Sequence, residues 1–262
     1  MIAKRATINW GNGIFGAPVR SRFRCGSLLV ELNRGNNEVS LASKQLSTDE
    51  IHALDDDQPV SWTSWAVCTG TDGVKALPGL PGLPVLAKAR PSFSVAPGVQ
   101  TRVYLRVPVS VQIRLDDPGE ELLAEFPSEA LPRTVFGEPP SPEDCLELPC
   151  PIARSAATDL ADSEVQCPVL IRNESREVLA VNQICLRLAR LSVYRRGAAL
   201  WTSETVVRYQ GGPAPSRVSV KPGPPSEAPD ARLLVPARES GLPESVVGRT
   251  FRSFLRWAED RR

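Results

Sequence analysis

From Val103 to Leu115 every odd position is apolar: Val103, Leu105, Val107, Val109, Val111, Ile113 and Leu115. The even positions from 102 to 114 read Arg102, Tyr104, Arg106, Pro108, Ser110, Gln112 and Arg114. An unbroken period of two specifies a β-strand with one face on a core, because a helix would spread these residues around its circumference. Seven such side chains, at ~1.5–3 kcal/mol each, contribute roughly 10–20 kcal/mol on burial, an upper bound because the unfolded chain is already partly collapsed. The run is longer than the usual strand of about 5–6 residues. Pro108 lies in its middle and has no N–H to donate to a ladder. The expectation is a strand that bends at Pro108 and passes from one sheet of a sandwich to the other, with its arginines on the solvent face.

Shorter runs of the same kind recur. SLLVEL at 27–32, the turn NRGNN and EVSLAS predict a hairpin. SWTSWAVC at 61–68 predicts a strand, and Phe93 and Val95 alternate before a Pro97-Gly98 turn. Cys167, Val169 and Ile171 alternate in QCPVLIRN, as do Ile184, Leu186 and Leu188 in ICLRL, and two more strands are expected around Gly197. Ser47 with Glu50 forms a capping-box pattern that predicts a short helix over 47–54. PGLPGLP at 78–84 reads as an extended, polyproline-like connector. The stretch 116–165 is rich in proline and acid, and limited regular structure is expected there. Near the C-terminus Val247, Phe251, Phe254, Leu255 and Ala258 share one helical face. The expected organisation is all-β: two β-sandwich-like halves over 1–120 and 166–240, an irregular Pro/acid-rich connector over 121–165, and a C-terminal amphipathic helix over 241–262.

The chain has 262 residues and is 42% apolar, enough to bury a core without metal or disulfide staples. Its 31 basic and 30 acidic residues leave a net charge of +1, which argues against bulk nucleic-acid binding. The N-terminal MIAKRATINWGNG has no apolar run of a signal peptide, and no window has the length and apolarity of a membrane span. A cytoplasmic protein with reduced cysteines is expected.

Catalytic motifs are sparse. His52 is the only histidine, it falls in the short helix, and no G-x-S-x-G motif accompanies it. Cys145 and Cys150 are spaced too loosely for an ordinary zinc pair, and Asp55, Asp56 and Asp57 lack the calcium-loop spacing. GNGIFG at 11–16 lacks both the P-loop lysine and the dinucleotide-binding spacing. No cofactor or metal is expected. Arg102, Arg106 and Arg114 on one strand face form a candidate partner-binding surface for an acidic protein. The leading reading is a non-enzymatic binding or regulatory module. The alternative is an enzyme with a small-molecule site in the 116–165 connector, using Cys145, Cys150 or a carboxylate there.

Four segments together with Trp10-Gly11 resemble a prokaryotic family, domain of unknown function 432. They are PSFSVAPGVQTRVYLRVPVSVQIRL, TVFGEPPSPEDCLEL, CPVLIRNESREVLAVNQICLRL and LWTSE. The family usually carries Trp where this chain has Val135, and an aromatic soon after Cys145 where this chain reads CLEL. The resemblance implies a candidate pocket at Thr134, Phe136, Gly137 and Cys145. Family members resemble cytosolic proteins encoded beside small-conductance mechanosensitive channels. That implies the cytosolic part of such a channel as a partner, by association and not by physics.

Overall fold

In the computed structural model, residues 5–8, 10–11, 20–47, 61–67, 73–116, 118–137, 142–211, 216–239 and 246–247 are described. They are all-β, with no helix among them. The chain forms two compact units that interleave in sequence: residues 1–80, 108–130 and 161–163 in the first, and 81–107, 131–160 and 164–262 in the second.

The first unit holds two sheets. Strands β1 (Arg5–Thr7), β2 (Arg20–Cys25), β3 (Leu28–Arg34), β4 (Glu38–Gln45) and β5 (Trp62–Ala66) lie side by side in chain order. The expected hairpin is β3–β4, closed by Gly35 N–H donating to the Glu38 carbonyl at 2.9 Å. Leu32 faces Leu41 and Phe23 faces Val30 across the ladders, and all four are buried. In β5 both tryptophans are at least partly exposed, and Arg20 stacks on Trp62 at 5.7 Å. Trp10 is buried, and its indole N–H donates to the Asp162 carbonyl. The second sheet of this unit has the order β10 (Leu122–Pro127), β9 (Ser110–Leu115), β6 (Val74–Gly79).

The second unit also holds two sheets. One has the order β11 (Arg133–Phe136), β12 (Glu143–Glu147), β7 (Val85–Val95), β14 (Leu179–Leu186). The other has the order β19 (Arg232–Val235), β15 (Val193–Arg196), β16 (Ala199–Thr202), β13 (Glu164–Asn173), β17 (Thr205–Tyr209), β18 (Arg217–Val220), β20 (Val246–Val247). In this sheet β8 (Gln100–Pro108) also pairs with β13. Asn173 ends β13 as a buried hub. Its amide donates to the carbonyls of Val95 and Glu177, and its Oδ1 accepts from the Ser175 N–H and hydroxyl.

The alternating run is two strands, β8 and β9, separated at Val109. All seven odd residues are buried, none more than 6% exposed. β8 pairs in a sheet of the second unit and β9 in a sheet of the first, so the break expected at Pro108 is found, but as a change of unit and not as one strand crossing a single sandwich. The even face differs from expectation. Gln112 is only 3% exposed and Ser110 is buried, while Arg102, Arg106 and Arg114 are half-buried. The reason is that polar residues of β9 satisfy one another. The Ser110 hydroxyl and the Gln112 amide both donate to Glu125 on β10, and Arg114 donates to Gln112 Oε1.

Other expectations change too. Pro78 and Gly79 belong to β6 and pair with Val111 and Ser110, so only the rest of PGLPGLP connects strands. Strands β10, β11 and β12 lie within the stretch 116–165, and β13 begins at its end. The C-terminal helix over 241–262 is not found: its two described residues, Val246–Val247, form β20 against β18, and the rest lie outside the described residues. The short helix over 47–54, with His52, and Asp55, Asp56 and Asp57 also lie almost wholly outside them.

Gly79 sits under the polar cluster of β9. A Cβ there would collide with Ser110 Oγ and lie 2.7 Å from Glu125 Oε1 and 2.8 Å from Gln112 Nε2. Gly79→Ala is expected to lower stability in urea denaturation by about 1–3 kcal/mol. Gln112→Arg, on a face the sequence alone assigned to solvent, is expected to cost a similar ~1–3 kcal/mol by breaking this network. Two neutral variants would show that the cluster tolerates expansion.

Candidate functional site

The second unit carries an open groove of about 390 Å³ on its larger sheet. Gln100, Thr101 and Arg102 of β8 line it, with Leu170 and Arg172 of β13, Glu204 and Val206 at the start of β17, and Lys221 after β18. The strand period explains this lining. On β13 the odd residues Val165, Cys167, Val169 and Ile171 are fully buried, so Leu170 and Arg172 face the other way. On β17 Val207 is buried and Val206 shares the opposite face with Arg208.

Three cations and one carboxylate meet in the groove. Glu204 is only 2% exposed. Arg102 Nη2 lies 2.6 Å from Glu204 Oε1, and Arg102 Nη1 lies 3.2 Å from Glu227 Oε1. Lys221 Nζ is 3.9 Å from the other Glu204 oxygen. Tyr104 donates its hydroxyl to Glu227 Oε1 at 2.7 Å. Burial, and then the hydrogen bond and charge of Glu227, push the Tyr104 phenol up to about 12. For Glu227 burial is the largest effect and acts upward. Hydrogen bonds from Tyr104, its own backbone and Ser226, with the Arg102 charge, outweigh it and hold the carboxyl below its ordinary value. Burial also works against the Arg102 charge, and Glu204 and Glu227 reverse that and raise its pKa.

Arg172 differs from its neighbours. Among the described residues its side chain makes no hydrogen bond or ion pair, and its buried Nε–H has no acceptor. The buried Nε–H of Arg102 also lacks one. An unmatched buried donor on a cation is costly, and Glu204 Oε1 in the same groove, although ion-paired with Arg102, likewise has no hydrogen-bond partner.

The three arginines named from the sequence are distributed between the two units. Arg102 and Arg106 lie on β8, and Arg114 lies on β9. Arg106 donates to Cys150 Sγ at 3.4 Å and sits 4.0 Å from Glu164, while Arg114 bonds Gln112 and the Glu120 carbonyl. Of the three, only Arg102 lines the groove. Phe136 and Cys145 pack with Leu86 and Cys185 as a hydrophobic cluster. The Cys145 thiol points to the Thr134 carbonyl at 3.6 Å, and Gly137 takes the left-handed φ of 102° that ends β11. Val135 is 56% exposed. Burial first, and then Glu143, raises the Cys145 thiol, and burial pushes Cys185 to about 12, so both stay protonated and unreactive. Arg172 and Lys221 were missed by sequence reasoning, because only strand register brings them to Arg102.

The described residues thus make an all-β protein with a cationic groove built on a sheet face. Its sequence matches the family model described as "Protein of unknown function (DUF432)" over residues 9–256, and the chain belongs to that family. No curated protein and no solved structure matches it. No described helix is long and apolar enough to cross a membrane.

Removing Arg102 strands the buried Glu204 carboxylate with only the distant Lys221. Arg102→Met is expected to destabilise the fold by ~3 kcal/mol or more, and adding Glu204→Met is expected to recover most of that loss. Urea denaturation of both proteins checks this, and an additive double variant would refute the coupling. Glu227 makes a pH-dependent contribution. Its lowered pKa adds stability above the ordinary carboxylate value of 4.5 that is lost as pH falls through the folded value. The stability gap between the wild type and Glu227→Gln is therefore expected to be largest at neutral pH and to close on acidification.

Proposed function

We propose that this chain is a non-enzymatic binding or regulatory module that docks an anionic group in the groove of its larger sheet. The observation that carries this is Arg172, a half-buried cation with no acceptor of its own, set beside Arg102 and Lys221. Arg102 is held in place by two carboxylates, so it is already ordered before a ligand arrives. Leu170 and Val206 give the groove an apolar floor, and Gln100 and Thr101 give it neutral hydrogen-bonding groups at the rim. This mixture of an apolar floor and a few convergent polar groups suits ligand recognition. A regulatory module also acts on a partner. The family resemblance brings forward the cytosolic part of a small-conductance mechanosensitive channel, and co-purification tests that pairing separately.

The anion reading is tested with inorganic phosphate by calorimetry and thermal shift at low ionic strength, with sodium chloride as the control. Phosphate is expected to bind and to raise the melting temperature. Arg172→Gln is expected to weaken binding about tenfold or more, the effect of losing a charged hydrogen bond. A wild-type protein indifferent to millimolar phosphate would overturn the reading.

A further inference from the structure

The groove continues into a row of arginines. Arg172 on β13 is the register partner of Arg208 on β17, and Arg208 is the register partner of Arg217 on β18. Register partners project from the same face of a sheet, so the three guanidinium groups leave one surface from three successive strands. Adjacent strands are about 4.8 Å apart, which makes the row about 10 Å long. Like charges directly opposite each other in a ladder destabilise it. Here two such pairs occur in succession.

The surroundings do little to offset this. Among the described residues the side chains of Arg172 and Arg217 have no hydrogen bond or ion pair. Arg208 has Glu174 at 3.7 Å, and both side chains are more than two-fifths exposed, a geometry of little energetic worth. The carboxylates nearest the groove, Glu204 and Glu227, are already committed to Arg102. The uncompensated charge therefore runs along the row, starting inside the groove at Arg172 and leading away across the sheet.

We infer that the ligand of this site is a linear chain of phosphates, with one phosphate seated at Arg172 and the next ones on Arg208 and Arg217. This rests on the anion reading above and narrows it. A single phosphate or carboxylate engages one arginine and leaves the other two unexplained. A chain of linked phosphates carries its charges in a line and meets guanidinium groups arranged in a line, each suited to bidentate contact with phosphate oxygens. An inorganic chain and the phosphate tail of a nucleotide present this same chemistry.

The experiment measures the affinity of the full chain for inorganic phosphate, pyrophosphate and triphosphate by calorimetry in magnesium-free buffer. Affinity is expected to rise by about tenfold with each added phosphate, the scale of one charge-assisted contact. Arg217→Gln is expected to erase the gain from pyrophosphate to triphosphate and to leave phosphate binding unchanged. Arg217 is exposed, so this variant folds, and relief of the like-charge pair is expected to raise its melting temperature slightly in the absence of ligand. A nucleoside triphosphate that binds as tightly as inorganic triphosphate would assign the inorganic chain, and a tighter one would assign the nucleotide. If phosphate binds and the longer chains bind no better, or if Arg217→Gln weakens all three equally, the row is not the binding track and this inference fails while the anion reading stands. If none of the three binds, the anion reading itself fails.

Discussion

The alternation from Val103 to Leu115 is the constraint on which both units depend. Its odd residues are buried throughout, yet no single sheet receives them all. Pro108 cannot extend a ladder on its N–H side, and the chain uses that gap to change sheets. Val107 and the residues before it pack in the second unit, and Val109 and those after it pack in the first. The backbone at this step is buried and finds its partners outside the ladders. Val109 N–H donates to the Ser163 carbonyl, and Ser128 N–H donates to the Val109 carbonyl. That explains why the three residues Ala161–Ser163 belong to the first unit while their neighbours on both sides belong to the second.

Strands with one fully buried face were legible in the sequence, and strands without one were not. β3 and β13 carry apolar residues at alternate positions along most of their length, as do the first half of β4 and each half of β14 about its register shift at Val181/Gln183, and this alternation with the flanking turn signals points to them. β10 and β11 lie at sheet edges and bury little, so their residues show no period. β12 has only Cys145 fully buried. A proline- and acid-rich composition then conceals them, because composition reports solvent exposure and an edge strand is exposed. The even face of β9 failed for a different reason. Gln112 and Ser110 read as solvent-facing by type, but Glu125 of β10 and the bare backbone of Gly79 in β6 let polar side chains close over one another. No rule on residue type anticipates this, because it depends on which strands become neighbours.

The candidate site was legible only at one residue. Arg102 was picked out as one of three arginines on a strand face, and it does line the groove. Arg106 and Arg114, chosen on the same ground, have internal partners. Arg102 is paired as well, with Glu204 and Glu227, so what sets it apart is its place on the groove wall beside Leu170 and Arg172, which only the tertiary arrangement decides. Arg172, Arg208 and Arg217 are separated by 36 and 9 residues in sequence, and only the parallel pairing of β13 with β17 and the hairpin of β17 with β18 align them.

A net charge of +1 hides this arrangement, because a sum over the chain counts paired and unpaired charges alike. Most described acids on the second unit are spent on neighbours: Glu143 on Arg187, Glu147 on Lys88, Asp230 on Arg196, and Glu204 and Glu227 on Arg102. Such pairs contribute little individually to stability when exposed, but they fix which cations are left over. The remainder on the sheet face is positive and linear. Near-neutrality therefore excludes a surface that binds polyanions along its whole extent, and it is compatible with a short track for a small one. Within about one Debye length of Arg172 and Arg208 the local field also includes Arg102, Lys221, Glu204 and Glu174, so it is these neighbours, and not the sum over the chain, that set the potential on this face.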